Sequence, residues 1–249
     1  MGNVNIKVLD DVKYQQKKII ILLYNDLELN TMDYNDALEN DKRTNMLIYL
    51  SFIRTKHPFI FSFFPNKDYN ISIIKINLFF LSFSIYFAIN TFFFDYTIIH
   101  QIYEDKGNYS ISYFSPQIIY SFLIAYFFSV IIKFFVLSER NLLELKHEKT
   151  LKKAKGKVEK IKQLLIIKNT CYFFIVLLFL FFFWYYLSYF CAVYQNSQII
   201  LIKNTLLSFS ISLIYPFIIN IIPVIVRRFS LSAKNRECIY KANIYIQYI

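Results

Sequence analysis

The sequence predicts an all-α integral membrane protein with four transmembrane helices and with both termini in the cytoplasm. The composition supports this fold class, because 56% of the 249 residues are hydrophobic and only 18% are charged. Soluble domains of ordinary composition carry about 25% charged residues. Two patterns along the chain give the number of spans and their direction: four long apolar runs, and an uneven distribution of Lys and Arg between them.

Each apolar run is 20 to 23 residues long. A helix needs about 20 apolar residues to cross a hydrocarbon core about 30 Å thick. The predicted spans are residues 74–94, 118–137, 171–193 and 205–226. Residues 1–73 precede the first span and are too polar at their start to form a cleavable signal peptide.

Orientation follows from the basic residues in the five segments outside the spans. Residues 1–73, 138–170 and 227–249 hold nine, ten and five Lys or Arg, whereas residues 95–117 and 194–204 hold one each. Cytoplasmic segments carry the excess of Lys and Arg in membrane proteins. The basic segments are therefore predicted to be cytoplasmic, and the other two to be lumenal or extracellular.

Residues 138–170 form the most distinctive polar segment. Strong helix formers fill it, so we expect a long basic cytoplasmic helix, or a helical hairpin interrupted near Gly156. Basic clusters beside a span attract anionic lipids, and a plain solvated face, a phosphoinositide site or a calmodulin-like partner are the alternatives. The lysines proposed to contact lipid headgroups are Lys152, Lys153, Lys155, Lys157, Lys160 and Lys162.

The N-terminal region combines an acidic stretch with an apolar one. Residues 26–41 hold six carboxylates but lack the glycine and final Glu of a calcium-binding loop. An amphipathic helix capped by Thr31 is the favoured interpretation, with divalent cation binding as the alternative. Residues 46–64 are apolar and aromatic around Arg54 and Lys56, which predicts an interfacial helix and a short element along the membrane surface.

Charged side chains are nearly absent from the predicted spans. Only Lys75 and Lys133 lie within them, near the cytoplasmic ends where their ammonium groups can reach the headgroups. The remaining polar groups are Ser and Asn, which we expect to form hydrogen bonds between helices. The third span has almost no polar atom before its outer aromatic end, so it is predicted to face lipid.

The fourth span differs from the others because it contains two prolines. Pro216 and Pro223 lie on either side of Asn220, and each proline removes a helical hydrogen bond. A kink is therefore predicted there. Broken helices sometimes line a substrate or ion site, but a kink that serves packing is the favoured interpretation.

No catalytic, cofactor-binding or metal-binding residues are predicted. The three glycines cannot form a phosphate-binding loop, and the three histidines lie on different connections. The basic residues flank spans and lack the motifs of nucleic-acid recognition, so no nucleic-acid partner is expected. Asn108 begins a glycosylation sequon in the predicted outer loop.

A resemblance to a protein family rests on four short elements: DKRT at 41–44, TKHPFIFSFF at 55–64, NKDYN at 66–70 and IYED at 102–105. As a set they resemble a C-terminal multi-span membrane module of large, uncharacterised proteins of single-celled eukaryotes. The resemblance covers about residues 30–230 and implies a coherent membrane module. It transfers no activity and no catalytic residue.

Two functional classes follow from the sequence. The first is a non-enzymatic membrane anchor or assembly component, with membrane lipids, anionic ones included, and other protein subunits as partners. The second is an oligomeric pore or transport subunit lined by Ser and Asn of the first and fourth spans. Either would be an integral protein of the plasma membrane or an endomembrane.

Overall fold

The computed structural model describes residues 24–138, 142, 151–232 and 236–247, with the backbone alone for 151–155. This part of the chain contains no strand, and four of its helices are long and apolar enough to cross a membrane. The predicted all-α fold with four membrane-spanning helices is therefore confirmed, and its orientation stays a prediction. The helices are α1 (Asp26–Thr31), α2 (Tyr34–Asn40), α3 (Asn45–Lys56), α4 (Pro58–Phe63), α5 (Ser72–Phe92), α6 (Tyr96–Glu104), α7 (Ile111–Val136), α8 (Leu151–Val193), α9 (Gln198–Ile219), α10 (Ile221–Leu231) and α11 (Glu237–Ile246).

Contacts between the helices divide the chain into two units. The central unit is Tyr69–Ile214 and holds α5 to α8 with most of α9. The terminal unit combines Met1–Asp68 with Tyr215–Ile249, so it joins α1 to α4 with α10 and α11.

The central unit contains an apolar core contributed by four helices and their connections. Its buried members come from the connection after α5, from α6, from α7, from the end of α8 and from the start of α9. They are Phe94, Ile99, Ile102, Phe114, Ile118, Phe190, Ile200 and Leu201. Elsewhere in this unit, Ser82 of α5 and Ser129 of α7 join their hydroxyl oxygens at 2.9 Å. Apolar packing and hydrogen bonds together fix how these spans meet.

Helix α6 lies in the predicted outer connection between the first two spans. The Asp95 side chain begins it by accepting a hydrogen bond from the Ile98 N–H at 2.9 Å, as an N-cap residue does. At its other end, Gly107 has φ +76° and donates its N–H to the Ile102 carbonyl at 2.9 Å. This bond closes the helix with a left-handed turn that glycine adopts without steric cost.

Helix α8 is 43 residues long and continues through Gly156 without a break. The interruption expected at Gly156 is therefore absent, because one glycine costs a helix only about 1 kcal/mol and strong helix formers flank it. A hairpin before residue 151 would lie outside the described residues. At 1.5 Å per residue, α8 is about 65 Å long, roughly twice the hydrocarbon thickness.

The third span, within α8, is the least buried of the four. Only 11% of its most apolar 18-residue stretch is buried, compared with 39% for the first span. Large apolar side chains such as Phe181 and Trp184 are 65% and 74% exposed. This exposure agrees with the lipid-facing position predicted for the span.

In the terminal unit, two short helices replace the single acidic helix predicted from the sequence. Asn25 caps α1, and its side chain and that of Glu28 bond reciprocally to each other's backbone N–H at 2.8 Å. The predicted cap at Thr31 is wrong, because Thr31 ends α1 and donates its hydroxyl to the Leu27 carbonyl at 2.8 Å. A capping box satisfies two backbone donors, which one threonine cannot do.

Helices α3 and α4 lie where the sequence predicts one helix and a short element, in residues 46–64. Thr44 caps α3, and His57 separates it from α4, whose first residue is Pro58. Proline suits this first position because its missing N–H would have no helical partner there. Within the terminal unit, α3 packs against α10 through Ile48, Phe52 and Val224.

The fourth span is divided into α9 and α10 at Asn220. Pro216 lies inside α9, and Pro223 lies near the start of α10. The Asn220 side chain donates to the Pro216 carbonyl at 2.6 Å. This bond gives the Pro216 carbonyl a side-chain donor close to the break between α9 and α10.

Candidate functional site

The most unusual group of side chains lies in the terminal unit, where Asp41 is bound by two buried arginines. Arg43 donates from Nε to Asp41 Oδ1 at 2.8 Å and from Nη2 to Oδ2 at 2.9 Å. Arg227 donates from Nε and Nη2 to the same Oδ2 at 3.0 and 2.8 Å. We call Asp41, Arg43 and Arg227 the buried arginine cluster.

Two members lie beside helix ends and the third lies within a helix. Asp41 follows α2, Arg43 precedes α3, and Arg227 lies on α10, so the cluster joins the two ends of the terminal unit. Both guanidiniums also bond to the carbonyl of Leu29, and Arg227 reaches that of Asn30 at 2.8 Å. The last carbonyls of a helix lack helical partners and attract positive charge. The arginines therefore complete α1 as well as binding Asp41.

Neighbouring side chains close the cluster. Arg43 Nη1 donates to Asn30 Oδ1 and to Ser51 Oγ, both at 3.1 Å. The Tyr240 ring of α11 lies over the Arg227 guanidinium at 5.1 Å, which is cation–π distance. The Tyr240 hydroxyl donates to the Met32 carbonyl at 2.7 Å. Four helices are thus held around one carboxylate.

The electrostatics of the cluster are those of a fixed structural group. Burial alone would raise the pKa of Asp41, but hydrogen bonds and charge from Arg43 and Arg227 outweigh it and lower that pKa. Arginine does not lose its proton in proteins. At neutral pH all three groups therefore keep their charge, and none is suited to transfer a proton.

A second polar group lies in the central unit and links α5, α7 and α9. Asn90 Nδ2 donates to Ser208 Oγ at 2.9 Å, and Gln117 Nε2 donates to the Asn90 carbonyl at 3.3 Å. Asn204 Nδ2 donates to Gln117 Oε1 at 3.2 Å, and Asn204 Oδ1 accepts a hydrogen bond from the Tyr109 hydroxyl at 2.8 Å. We call these five residues the interhelical hydrogen-bond chain. Pairing between spans is what the sequence analysis expected of such groups.

All six lysines proposed to contact lipid lie within the range of α8, and the side chains of three of them are described. Lys157, Lys160 and Lys162 are exposed. The side chains of Lys152, Lys153 and Lys155 lie outside the described residues. Contact of this segment with anionic lipids stays a prediction.

The residues predicted at the kink occupy the division of the fourth span. Asn220 is 1% exposed, and its Oδ1 has no hydrogen-bond partner among the residues that the structure describes.

Asn108, the sequon residue, follows Gly107 in the turn after α6 and is exposed. Its modification stays a prediction.

Metal binding by the acidic stretch receives no support from the geometry. Nowhere in the described ranges do three or more His, Cys, Asp or Glu side chains come close enough to hold a metal ion. Within the acidic stretch, Asp26 instead pairs with Arg54 at 2.9 Å. Asp41 is occupied by the buried arginine cluster.

Sequence reasoning did not identify the buried arginine cluster. In the sequence, Asp41 is one of six carboxylates in residues 26–41, and Arg227 is one of the basic residues that flank the spans. The two residues are 186 positions apart in the chain. No periodicity or motif connects such positions, so the pairing has no signal in one sequence.

Comparison of the chain with protein-family models, with curated proteins and with solved structures gives no match. The resemblance to a membrane module of single-celled eukaryotes therefore stays a prediction.

Proposed function

We propose that the chain is a non-enzymatic membrane anchor or assembly component, held in the membrane by its four spans. The observation that carries this proposal is the interhelical hydrogen-bond chain of the central unit. Its polar groups bond to one another between α5, α7 and α9. Side chains used in this way stabilise the packing of the spans.

The terminal unit supports the same function. Asp41 and two buried arginines fix α1, α3 and α10 to one another through charge-assisted hydrogen bonds. A unit fixed in this way presents a constant surface, which suits the recruitment of other proteins. The charges of the cluster do not change near neutral pH, which does not favour a role in acid–base chemistry.

The exposed third span offers a lateral surface for a partner. Between α5 and α8 of the central unit lies an open cleft of about 660 Å³ with a largely apolar lining that includes Phe87, Leu180 and Phe183. Apolar clefts between spans suit packing against another transmembrane helix. We propose that a helix of another membrane protein binds there.

The test is to purify the full chain in mild detergent and to measure the mass of the particle. An anchor should be recovered as a single copy, alone or with different proteins, and should conduct no ions after reconstitution. Leu180→Trp in the cleft should release a bound partner, whereas Ile166→Trp, an exposed change elsewhere on α8, should not. A symmetric oligomer that conducts ions would show that the anchor proposal is wrong.

An oligomeric pore or transport subunit is the second candidate, and one observation favours it. Asn220 Oδ1 is buried at the division of the fourth span and accepts no hydrogen bond from the described residues. Such an oxygen can bind a substrate or an ion. If it lines a path, Asn220→Leu should abolish ion flux without changing expression or particle size. Wild-type protein that conducts none of several ions would eliminate this candidate.

A further inference from the structure

We propose that the terminal unit binds the phosphate group of a membrane phospholipid in a cavity between α1, α3 and the segment after α4. The cavity has a volume of about 260 Å³. We call it the basic cavity, because three of its lining residues are cationic. Its lining consists of Tyr24, Asn25, Asp26, Leu29, Arg43, Leu47, Arg54, Pro65, Asn66 and Lys67.

The charges of the lining favour an anion. Arg43, Arg54 and Lys67 are positive, and Asp26 is the one carboxylate in the lining. Asp26 pairs with Arg54 at 2.9 Å. Lys67 is exposed and forms neither a hydrogen bond nor an ion pair with the residues that the structure describes.

The charge behind the cavity adds to this excess. Arg43 is 5% exposed and shares Asp41 with Arg227, so one carboxylate serves two buried guanidiniums. The buried Glu28 carboxylate faces the Asn25 N–H and does not line the cavity. An uncompensated charge in a buried site is costly, and a nearby anion offsets it.

Asn66 gives a second indication of a polar ligand. Its Nδ2 donates to the Arg54 carbonyl at 2.9 Å, which fixes the segment after α4 against α3. Its Oδ1 is buried and has no partner in the described part of the chain. A buried acceptor of this kind calls for a donor. The P–OH of a singly ionised phosphate monoester supplies one, as do the hydroxyl or ammonium groups of larger phospholipid headgroups.

The surroundings favour a lipid over free phosphate. Phe59, Phe63 and Phe64 are 44%, 42% and 55% exposed. The Phe59 ring contacts the other two rings, and Phe64 immediately precedes Pro65 of the lining. Lys67 is five residues before Ser72, the first residue of the first span, a reach of at most about 17 Å. Exposed aromatic rings beside basic residues are typical of surfaces that enter the membrane interface.

The experiment uses the full chain in mild detergent, with short-chain phosphatidic acid as the probe and native mass spectrometry as the measurement. Lys67→Gln removes one charge from the mouth of the cavity. Leu47→Trp fills the cavity without changing charge. Lys106→Gln is the matched control, because it makes the same charge change at an exposed position in the turn after α6.

We expect wild type to bind one phosphatidic acid in a saturable manner. Lys67→Gln should weaken this binding at least about tenfold, the loss expected for one charge-assisted hydrogen bond, and Leu47→Trp should remove it. Lys106→Gln should leave the affinity within about twofold, since distant exposed charges are screened. Equal weakening by the two Lys→Gln variants would overturn the proposal.

Two further outcomes are decisive. If folded Leu47→Trp binds the lipid as tightly as wild type does, the ligand does not occupy the cavity and the proposal is wrong. If inorganic phosphate displaces phosphatidic acid at equal concentration, the cavity recognises a free anion and the lipid assignment is wrong. Phosphate that fails to compete at a hundredfold higher concentration supports the lipid.

Discussion

At the scale of single residues, the terminal unit depends on charges that are removed from water. A buried ion pair adds little net stability compared with apolar residues of the same shape, because desolvation offsets the attraction between the charges. Loss of one partner is different, because it leaves the other charge buried and unpaired. The side chains of Arg227 and Asp41 are both 0% exposed, so the loss of either would leave a buried charge without this partner.

The first prediction concerns this pair. Asp41→Asn should lower the free energy of unfolding of the terminal unit by about 3–5 kcal/mol, since two guanidiniums would lose their carboxylate. Arg227→Met should also destabilise it, whereas Arg228→Met, a change at the exposed neighbour, should have little effect. The measurement is the temperature at which the purified protein loses its gel-filtration peak. Similar temperatures for Arg227→Met and Arg228→Met would contradict the role assigned to the cluster.

The second prediction concerns Lys56, the last residue of α3. Burial lowers the pKa of its ammonium group to about 8. Between pH 8 and the ordinary lysine pKa of about 10.5, the unfolded chain binds a proton that the folded chain does not. Stability should therefore rise with pH across this window.

Lys56→Met should stabilise the protein at pH 7 and remove that contribution to the pH dependence. Lys42→Met provides the control, because Lys42 is exposed. Thermal unfolding from pH 7 to pH 10 is the measurement. An unchanged pH dependence in Lys56→Met would show that other groups cause the rise.

At the scale of secondary structure, the helices differ in what stabilises them. Helices α1 and α2 are only six and seven residues long, and isolated helices of that length are not stable in water. Helix α1 is held by its capping box and by the buried arginine cluster, and α2 is held by the same cluster through Asp41, which follows it. The first part of the long helix α8 is rich in strong helix formers. Its apolar part must be helical in a bilayer, because only then are its backbone hydrogen bonds satisfied within the segment.

The third prediction compares two glycines in different conformations. Gly156→Ala should stabilise α8 by up to about 1 kcal/mol, because the helix is continuous and an added Cβ would meet nothing within 4 Å. Gly107→Ala should destabilise the turn after α6, because Gly107 has φ +76°.

Thermal stability of the full chain and the helicity of a peptide covering 151–170 test this pair. A decrease in peptide helicity for Gly156→Ala would indicate a hairpin at this position. A neutral Gly107→Ala would show that the turn after α6 adopts another conformation.

At the scale of the whole molecule, the fourth prediction is the topology. Both termini and residues 138–170 should be cytoplasmic, and residues 95–117 should lie on the opposite side, because basic segments remain in the cytoplasm. Tags at the two termini should be digested only from the cytoplasmic side of sealed vesicles. A tag inserted after Asn108 should be accessible only from the other side. If the N-terminal tag is protected from protease in sealed vesicles whose cytoplasmic side faces outward, the predicted topology is wrong.

Much of the fold could be predicted from the sequence, because the membrane limits the choice. A bilayer requires each spanning segment to satisfy its own backbone hydrogen bonds and to be apolar over about 20 residues. Both requirements are local, so 74–94 and 171–193 identify α5 and the apolar part of α8. Helix ends were less predictable, since α7 and α9 begin seven residues before their predicted spans.

The candidate sites could not be predicted to the same extent. The pairing of Asn90 with Ser208 follows the expectation that polar groups within spans bond to one another, although the partners were not specified. The pairing of Asp41 with Arg227 could not be predicted. In the sequence, Asp41 is one of several carboxylates in an acidic stretch, and Arg227 is one of several basic residues after a span. The same holds for Arg43, Arg54 and Lys67, which line one cavity only after α1, α3 and the segment after α4 have packed.

The sequence by itself determined that this is a four-span helical membrane protein, since span length and apolar character are properties of contiguous residues. It also predicts the orientation through its basic segments. The tertiary structure alone decided that residues 186 positions apart share a carboxylate, and that the polar groups of α5, α7 and α9 form one chain of hydrogen bonds. Hydrogen bonds and ion pairs act over about 3 Å, and only folding brings residues from distant segments within that range.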